Sequence, residues 1–521
     1  MNRKFYKVKI LAAYSFSVLL FINFISYASA SDNSEKINFN YILNLAVQKA
    51  KTTYTPNTIQ IPKQVTSATY SHMQQVQYNK DKGLWKNNKY SYYLAFMPMV
   101  GNYNLAVNFY EVDDGKSKKI QFNADNFNYG NSKIPPASLP KAYSGFQILS
   151  SKTNDPLLIF QGASYFRPVP PGATFGLSLR AISLNTVLEN AAEEFPDFTD
   201  FWIVKPDNNS SELTFYALLN GKSVTGAYEF KLTCDKIMKL NIKSTIILKS
   251  HVSQVGFAPI TSLFWYDKNT HFNFGQYRPE DHNSDGLIMS GDKVYYWQPL
   301  VNYVGKAAID SYRHFKKLNY FGLLQRNRKF TSYVDWHNRY YLDANVWIEP
   351  EIETGPGNVR LVTLPTNIEF TDNVNTFWIP DNKPEVGKPY NFNYTINCSL
   401  ETPPETTAHV NNYWHGKFYS KDKTFFLVSF SGSNLKKLNI KSEITPIINI
   451  QGSAKLSKKP HIRYCKKTDS WLAFFYVKPD NKNPLSQPIN IMCYLTLGGK
   501  RLSETWTYLW YPIVKQTIIY Q

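Results

Sequence analysis

Short apolar runs recur along most of the chain, and their composition predicts β-strands. Five of these runs are rich in aromatic and β-branched residues and end at Gly, Asn, Asp or Pro. They are LTFYALL (213–219), AYEFKL (227–232), STIILKSHV (244–252), TFFLVSF (424–430) and WLAFFYV (471–477). Helical candidates are short, such as YILNLAVQKA (41–50) and LNTVLENAAEEF (184–195). The pattern therefore predicts an all-β protein, built as a sandwich or a barrel.

The length of the chain and one polar stretch predict two domains. About 490 residues follow the first thirty, and this length is more than one hydrophobic core usually supports. The clearest boundary is CSLETPPETTAHV (398–410), which contains paired prolines. We expect an enlarged β-sandwich over residues 36–398, a linker over 399–409 and a smaller sandwich with immunoglobulin-like strand spacing over 410–521.

The first thirty residues have the features of a secretory signal peptide. Four basic residues precede the apolar run ILAAYSFSVLLFINFISY (10–27), and Ala28-Ser29-Ala30 follows it. A basic start, an apolar middle and an A-x-A site predict export with cleavage after Ala30. An uncleaved membrane anchor is the alternative, because the apolar run approaches the length that spans a bilayer.

The chain is strongly basic, and this charge limits the kinds of molecule that the protein is expected to bind. It has 58 Lys and Arg against 39 Asp and Glu; the signal peptide holds four of the basic residues and none of the acidic ones, which leaves a mature charge of about +15. Such a charge suits nucleic acid, an anionic membrane surface or an acidic polymer. Export argues against nucleic acid, and the scattered lysines are typical of a solvated basic surface.

Four cysteines allow at most two disulfides in an exported chain. Cys465 and Cys493 are the favoured pair because both lie in strand-like segments of the C-terminal region. Cys234 and Cys398 lie far apart in the sequence, and buried thiols are an alternative for them. No C-x-x-C or His-Cys cluster occurs, so we expect no zinc site, no redox centre and no cofactor.

The stretch DHNSDGLIMSGD (281–292) has the spacing of a calcium loop. The following segment, KVYYWQPL (293–300), reads as a strand, and Pro279 argues against a helix before the loop. A calcium site of this kind needs helices on both sides. We therefore expect a polar turn and no bound metal.

A group of polar and aromatic residues between positions 277 and 378 matches the chemistry of a sugar site. Aromatic faces stack on pyranose rings, amides and Arg bind hydroxyls, and paired carboxylates can cleave a glycosidic bond. The segments that supply these groups are YRPEDHNSDG (277–286), YVDWHNRYY (333–341) and PTNIEFTDNVNTFW (365–378). No G-x-S-x-G elbow occurs, so a nucleophilic triad is not supported.

Several longer segments resemble the periplasmic glucans biosynthesis proteins, the MdoG/OpgG and OpgD family. The similarity runs in order from about residue 40 to the C-terminus. Its most specific segments are QGASYFRPVPPGATFGLSLRAISLNT (161–186), EEFPDFTDFWI (193–203), YRPEDHNSDGL (277–287) and GLLQRNRKF (322–330). The resemblance implies a large β-sandwich similar to galactose mutarotase, followed by a smaller immunoglobulin-like sandwich. It also implies a periplasmic role in making osmoregulated glucans with a β-1,2-linked glucose backbone.

Some relatives resemble inverting glycoside hydrolases, and this implies roles for residues of the chain. The general acid of those relatives corresponds to Asp372 in FTDNVNTFW, and Glu369 could raise its pKa by charge repulsion. At the position of the general base this chain has Asn283, whose amide cannot take a proton at neutral pH. Asp285 shares a face with Asn283 if the segment is extended, so it is the first candidate replacement, and Asp281 is the second.

The same motifs supply candidate substrate-binding residues. These are Tyr165, Arg167, Tyr277, Arg278, His282, Asn283, Asp335, Trp336, Arg339 and Trp378.

Two functions remain open at this point. The first is an inverting endo-β-1,2-glucanase that trims the nascent glucan, with Asp372 as acid. The second is a non-hydrolytic factor that binds the glucan and assists the inner-membrane glucan glucosyltransferase or the branching of the chain. In either case the expected partner is a β-glucan polysaccharide.

Overall fold

The computed structural model describes residues 36–86, 89–208, 210–269, 275–303, 309–351, 354–404, 407–417, 422–480 and 488–512. The predicted signal peptide, residues 1–30, lies outside the described residues. Among the described residues, no helix is long and apolar enough to cross a membrane.

Strands dominate the chain, which confirms the all-β prediction. Up to residue 399 they are β1 (Gln77–Tyr78), β2 (Tyr92–Pro98), β3 (Asn108–Asp113), β4 (Lys116–Lys119), β5 (Phe127–Asn128), β6 (Tyr143–Ser150), β7 (Pro156–Gln161), β8 (Tyr165–Pro168), β9 (Ser178–Arg180), β10 (Ile182–Leu184), β11 (Asp197–Val204), β12 (Glu212–Asn220), β13 (Val224–Cys234), β14 (Met238–Leu248), β15 (Val255–Ser262), β16 (Phe264–Tyr266), β17 (Asp281–His282), β18 (Gly286–Gly291), β19 (Val294–Pro299), β20 (Ile309–Phe315), β21 (Leu318–Leu324), β22 (Asn345–Pro350), β23 (Gly357–Thr363), β24 (Val374–Pro380), β25 (Pro389–Asn391) and β26 (Tyr394–Ser399).

The remaining strands and the helices complete the elements. The later strands are β27 (His409–Gly416), β28 (Thr424–Ser431), β29 (Ile444–Gln451), β30 (Ala454–Leu456), β31 (His461–Cys465), β32 (Ser470–Pro479), β33 (Ile489–Leu497), β34 (Lys500–Arg501) and β35 (Thr505–Trp510). The helices are α1 (Phe39–Ala50), α2 (Lys63–Thr66), α3 (Tyr70–Gln74), α4 (Phe330–Tyr333) and α5 (Ser433–Lys436). Single 3-10 turns lie at Lys80–Lys82, Ala124–Asn126, Pro136–Ser138 and Tyr340–Leu342.

Two large sheets pack face to face in the first 400 residues. One has the strand order β2-β6-β7-β8-β9-β15-β24-β23-β20, and the other contains β21-β22-β26-β14-β13-β12-β11-β3-β4. Apolar residues alternate along these strands, so one face of each sheet points to a shared core. Stacked phenylalanines fill that core, with Phe146 and Phe160 on the first sheet and Phe215 and Phe230 on the second.

The outer face of the second sheet is covered by α1, which confirms the predicted helix over 41–50. Asn38 caps the helix by accepting a hydrogen bond from the Tyr41 N–H at 3.0 Å. Phe39, Ile42 and Ala46 recur at helical spacing and pack on the strands beneath.

The C-terminal strands form a second pair of facing sheets. β29, β33 and β35 extend the second large sheet, because β35 pairs in parallel with β19. The opposite sheet has the order β27-β28-β32-β30, with β31 also on β32. Phe426, Phe475, Trp506 and Tyr508 lie between them, and Trp297 of β19 joins the same core. The domain boundaries at residues 398 and 410 stay a prediction of the sequence.

The helix predicted over residues 184–195 is wrong. Asn185 and Val187 have left-handed backbone angles, with φ of 55° and 50°, which an α-helix cannot contain. The buried guanidinium of Arg360 explains why no helix forms here, because it donates hydrogen bonds to the carbonyl oxygens of Thr186 and Val187 at 2.7 and 3.2 Å. This long-range contact outweighs the local helical pattern.

The predicted Cys465–Cys493 disulfide is also not formed. Cys493 is buried on β33, whereas Cys465 lies on β31 in the facing sheet, and all four cysteines are free thiols. Burial raises the pKa of the Cys493 thiol, which keeps it unreactive.

The core position of Trp378 can be tested by substitution. Trp378 is 0% exposed, whereas Trp336 is 81% exposed, so the two residues are a matched pair. We expect Trp378→Ala to lower the free energy of unfolding by about 3–5 kcal/mol, and Trp336→Ala to change it by less than about 0.5 kcal/mol. Urea unfolding followed by circular dichroism measures both. Equal effects of the two substitutions would contradict the structure.

Candidate functional site

The ends of three neighbouring strands open into a cleft of about 780 Å³. β9 begins, β15 ends and β24 begins at this edge of the first sheet, with Ser262 opposite Val374 and Thr261 opposite Ser178. Asn373 holds the loop before β24 in place, because its side chain bonds both the N–H and the carbonyl of Phe264. The cleft is lined by Arg167, Thr174, Phe175, Gly176, Leu263, Asn283, His337, Asn338, Arg339, Tyr340, Phe370, Thr371 and Asp372.

One guanidinium joins the segments that form the cleft. Arg278 donates two parallel hydrogen bonds to Glu369, each 2.8 Å long, and another of 3.2 Å to Asp335. Its Nη1 also lies 2.8 Å from an oxygen of Asp281. The predicted residues Arg278, Asp335 and Glu369 therefore lie together, but Arg278 and Asp335 are buried. Their role in this structure is to hold the loops at residues 278–281, 335–340 and 369–372 together.

Glu369 does not act on Asp372 as the sequence predicted. Burial favours the neutral form of Glu369, but the hydrogen bonds from Arg278 and Tyr340 outweigh it and lower its pKa. Asn338 donates a further bond of 2.9 Å to the same carboxylate. Glu369 is thus an anion whose position is fixed by hydrogen bonds, and the positive charge of Arg278 compensates its negative charge. The pKa of Asp372 is raised instead by the surrounding protein, with Arg167 opposing the shift.

Asp372 is suited to the role of an acid. Its side chain reaches solvent in the cleft, and no hydrogen bond to another described residue holds it. Protein atoms nevertheless surround much of the carboxyl and raise its pKa above the ordinary value of 3.8. A carboxyl that retains its proton to higher pH is the group that protonates a leaving oxygen.

Asn283 faces the same cleft, and both ends of its amide are occupied. Its Nδ2 donates to Asp343 at 2.6 Å, and its Oδ1 accepts the N–H of Leu263 at 3.3 Å. Asp343 also accepts a bond of 2.7 Å from Thr174, and Gly176 leaves room for it, since a Cβ there would lie 2.8 Å from the carboxyl carbon. Burial raises the pKa of Asp343 to about 7.

Asp285 does not replace the missing base of the cleft. Its carboxylate accepts the backbone N–H groups of Arg326 and Asn327 at 3.0 and 2.9 Å. It lines a different cavity from Asp372, so the geometry does not favour the predicted catalytic role, which stays a prediction. β17 ends at His282, and the chain then turns, so Asn283 and Asp285 do not share a face.

His282 and Asp281 are also removed from the cleft surface. Both are fully buried. His282 lies between Glu280 and Gln325 at 3.2 and 3.1 Å; burial lowers its pKa, but Glu280 outweighs burial and raises it. Burial raises the pKa of Asp281 to about 7. Because its side chain is 0% exposed, Asp281 is a poor candidate for a base in contact with substrate. His282 does not line the cleft, so direct binding of substrate by His282 stays a prediction.

The predicted aromatic contacts divide into buried and exposed residues. Trp378 lies in the core, so its predicted substrate contact is wrong. Trp336 and Tyr277 are exposed near the cleft segments, although neither lines the cleft itself. The rings that do line it are Phe175 and Phe370, which are 51% and 76% exposed.

The remaining predicted residues surround the cleft at different depths. Arg167 and Arg339 are exposed and line it. Arg167 is oriented by a hydrogen bond of 2.9 Å to Ser178. Tyr165 does not line this cleft; it lies between Arg180 and Phe195, and Asp372 is close enough to contribute to the raised pKa of its hydroxyl.

Sequence reasoning missed Phe175, Phe370 and Asp343. Phe370 has a left-handed φ of 67°, which is costly for a bulky residue and turns its ring to solvent. Its position between Glu369 and Asp372 was the available signal. Asp343 has no such signal, because only the fold brings it to Asn283.

The carboxylates of the calcium-like loop point to separate partners. Asp281 pairs with Arg278, Asp285 caps the backbone at residues 326 and 327, and Asp292 accepts the N–H groups of Lys316 and Lys317. Within the described parts of the chain, no group of three or more His, Cys, Asp or Glu residues could hold a metal ion.

The cleft therefore combines exposed aromatic rings, guanidinium donors and one carboxyl with a raised pKa. On an all-β scaffold this combination is typical of carbohydrate-binding proteins. Comparison with known proteins identifies the family. The family model described as periplasmic glucan biosynthesis protein, MdoG, matches residues 37–510.

Two similar proteins accompany the family match. Glucans biosynthesis protein G from Ralstonia nicotianae is 32% identical over 471 residues, which cover 87% of this chain and 92% of that protein. A solved structure of a galactose mutarotase related enzyme from Lactobacillus acidophilus has a TM-score of 0.22 and 10% identity, over 49% of this chain and 94% of that one. The chain belongs to the periplasmic glucan biosynthesis (MdoG) family, and its role is in periplasmic glucan biosynthesis.

The buried carboxyl of Asp343 makes stability depend on pH. Its pKa is about 7 in the folded protein against an ordinary 3.8, so between about pH 4 and 7 the folded state holds a proton that the unfolded state has lost. The free energy of unfolding therefore falls as the pH rises through this range. We expect Asp343→Asn to reduce this slope by up to about 1.4 kcal/mol per pH unit, because its amide can bond both Thr174 and Asn283 without titrating.

Urea unfolding of the two proteins at several values of pH measures the difference in slope. Asp155→Asn, an exposed carboxylate outside the cleft, is the control and leaves the slope unchanged. An unchanged slope in Asp343→Asn would contradict a raised pKa for Asp343.

Proposed function

We propose that the cleft binds a segment of the periplasmic glucan without cleaving it at an appreciable rate. The observation that carries this proposal is that Asp372 is the one carboxylate among the described residues lining the cleft, while Asn283 occupies the position of the base. Of the two functions left open by the sequence, the non-hydrolytic factor is therefore the better supported.

Inverting hydrolysis needs two carboxyl groups on opposite faces of the sugar ring. The second one removes a proton from water and usually lies about 6.5–9.5 Å from the first. An amide cannot do this, and the Oδ1 of Asn283 is already bonded to the Leu263 N–H. Loss of a general base typically costs about 10²–10⁴ in rate.

The residues that line the same cleft are suited to binding a sugar chain. Phe175 and Phe370 offer exposed faces on which pyranose rings can stack. Arg167 and Arg339 line the cleft with guanidinium donors for sugar hydroxyls. Because the chemistry of these contacts is that of recognition alone, they support a binding role irrespective of any cleavage.

A slow inverting glucanase is the second candidate, and the raised pKa of Asp372 is the observation that favours it. Asp343 is the nearest alternative base, since it lies directly behind Asn283 and has a pKa of about 7. It would have to displace the Asn283 amide to reach a water in the cleft.

In the cell, this binding role fits a factor that receives the glucan as it emerges into the periplasm. The signal peptide predicted over residues 1–30 would export the chain. The partner that produces such a glucan is an inner-membrane glucosyltransferase, and a cleft that holds the product can assist polymerisation or branching.

Incubation with linear β-1,2-glucan separates the two candidates. We expect no shortened oligosaccharides from the wild-type protein under conditions in which a hydrolytic relative is active. Asp372→Asn is expected to keep glucan affinity within about threefold, because the amide retains hydrogen-bonding capacity. Chromatography of the products and isothermal titration calorimetry measure the two quantities.

Asn283→Asp is the matched variant for this experiment, because it places a carboxylate where hydrolytic relatives have their base. It is expected to increase product formation by about 10²-fold or more. Products that form with the wild-type protein and disappear with Asp372→Asn would refute the non-hydrolytic proposal.

The aromatic contact at the cleft is tested by Phe370→Ala. We expect glucan affinity to fall by roughly twofold to tenfold, because an exposed stacking face is lost. Ile368→Ala is the control, since Ile368 is exposed two residues away and does not line the cleft. The proposed location of the site would be wrong if both variants bound glucan like the wild type.

A further inference from the structure

A second groove, of about 890 Å³, lies on the other side of residues 281–285. One of its walls is the outer face of the sheet formed by β27, β28 and β32, and the other comes from residues 267–268, 280–285 and 326–329. Asn283 lines the first cleft, whereas Asp285 lines this groove. The short segment between them is therefore a wall shared by both cavities.

The sheet wall of the groove has both apolar and polar side chains and carries an exposed indole. Side chains alternate along the strands, so Phe426 and Phe475 point into the core while their neighbours point outward. Trp414 lies opposite Leu427 in the register of β27 and β28, and Leu472 lies on the next strand of the same face. Trp414 is 40% exposed, and the ammonium of Lys268 lies 5.6 Å from the centre of its ring, so a sugar would displace this exposed side chain to stack on the indole.

The opposite wall supplies polar groups. Asn327 donates to Glu280 at 3.2 Å and lines the groove beside it. Arg328 donates through Nη1 to the carbonyls of Tyr341 and Asp343, but its buried Nη2 has no hydrogen-bond partner among the described residues. The buried Nη2 is therefore closed to a ligand, whereas Lys329 is exposed on the same wall and offers an ammonium donor to the groove.

The charges in the groove favour a neutral ligand. Arg326 forms two hydrogen bonds to Glu504, at 2.7 and 3.0 Å, and stacks on Trp297, so its charge is compensated. Four other cationic side chains and three carboxylates remain among the described lining residues. This near balance fits neither a polyanion nor a cation.

We propose that this groove is a second saccharide-binding site, which takes a short stretch of a neutral pyranose chain. A sugar ring stacks on Trp414, and hydroxyl groups bond to Asn327 and Lys329 on the opposite wall. An exposed aromatic ring opposite polar hydrogen-bonding groups is similar to the chemistry of the first cleft. The identification of the sugar as glucan rests on the proposed function, whereas the capacity for a pyranose ring does not.

The indole N–H signal of Trp414 in an NMR spectrum tests the proposal directly. The signal is assigned as the one that is absent in Trp414→Ala, and short β-1,2-linked gluco-oligosaccharides are then added. We expect this signal to shift in the wild-type protein and in Phe370→Ala, because the groove fills independently of the first cleft. Calorimetry is expected to show that Trp414→Ala weakens binding at the groove by roughly threefold to tenfold, while Trp414→Phe retains most of it.

The possible results separate this inference from the proposed function. Binding that is lost in Phe370→Ala, with a Trp414 signal that never shifts, overturns the second site and leaves the first intact. A shifting Trp414 signal that Phe370→Ala does not affect supports the second site, even where the first cleft binds nothing. Tyr70→Ala is the control, because Tyr70 is exposed on α3 and lines neither cavity. If no sugar binds to the wild-type protein at concentrations that saturate a relative, both proposals fail.

Discussion

The cleft depends on the clamp that Arg278 forms with three carboxylates. Asp281 lies on β17, three residues after Arg278, whereas Asp335 and Glu369 come from two other segments; the buried guanidinium lies within 3.2 Å of all three carboxylates. Removal of Arg278 would leave these buried carboxylates without a compensating charge, which typically costs about 3–5 kcal/mol. The loops are therefore held in one arrangement, and Phe370 and Asp372 follow Glu369 directly in the chain. Rigid placement of these residues is what a preformed binding site requires.

Whether the cleft can hydrolyse a glucan then depends on one side-chain atom, the amide nitrogen of Asn283 where a base would have a carboxylate oxygen. The resemblance to hydrolytic relatives matches their base to Asn283, and Asp343 and the Leu263 N–H occupy both ends of this amide. In the proposed function, Asp372 is therefore an acid without a matching base. A family fold with an incomplete catalytic pair is better explained as a glucan-handling protein, since a fold alone does not establish an activity.

Sequence reasoning predicted the strands better than it predicted the site. The aromatic and β-branched residues of β12 and β14 identified them, because such side chains pack well on a pleated and buried surface. The helix over 184–195 was wrongly predicted because this segment is held by Arg360, which lies on the distant strand β23 and leaves no signal in the local sequence. The cleft segments were found from their composition and from the family resemblance, but the direction of each side chain was not. Asn283 and Asp285 were expected to share a face, and the turn after β17 sends them to different cavities.

A structure of the protein with a bound β-1,2-gluco-oligosaccharide tests the central claim most directly. The account predicts sugar rings against Phe370 and Phe175, the carboxyl of Asp372 beside a glycosidic oxygen, and an Asn283 amide still bonded to Asp343. It predicts no carboxylate-bound water on the opposite face of the ring. A water held there by Asp343 or another carboxylate, about 6.5–9.5 Å across from Asp372, would contradict the account and indicate a working hydrolase.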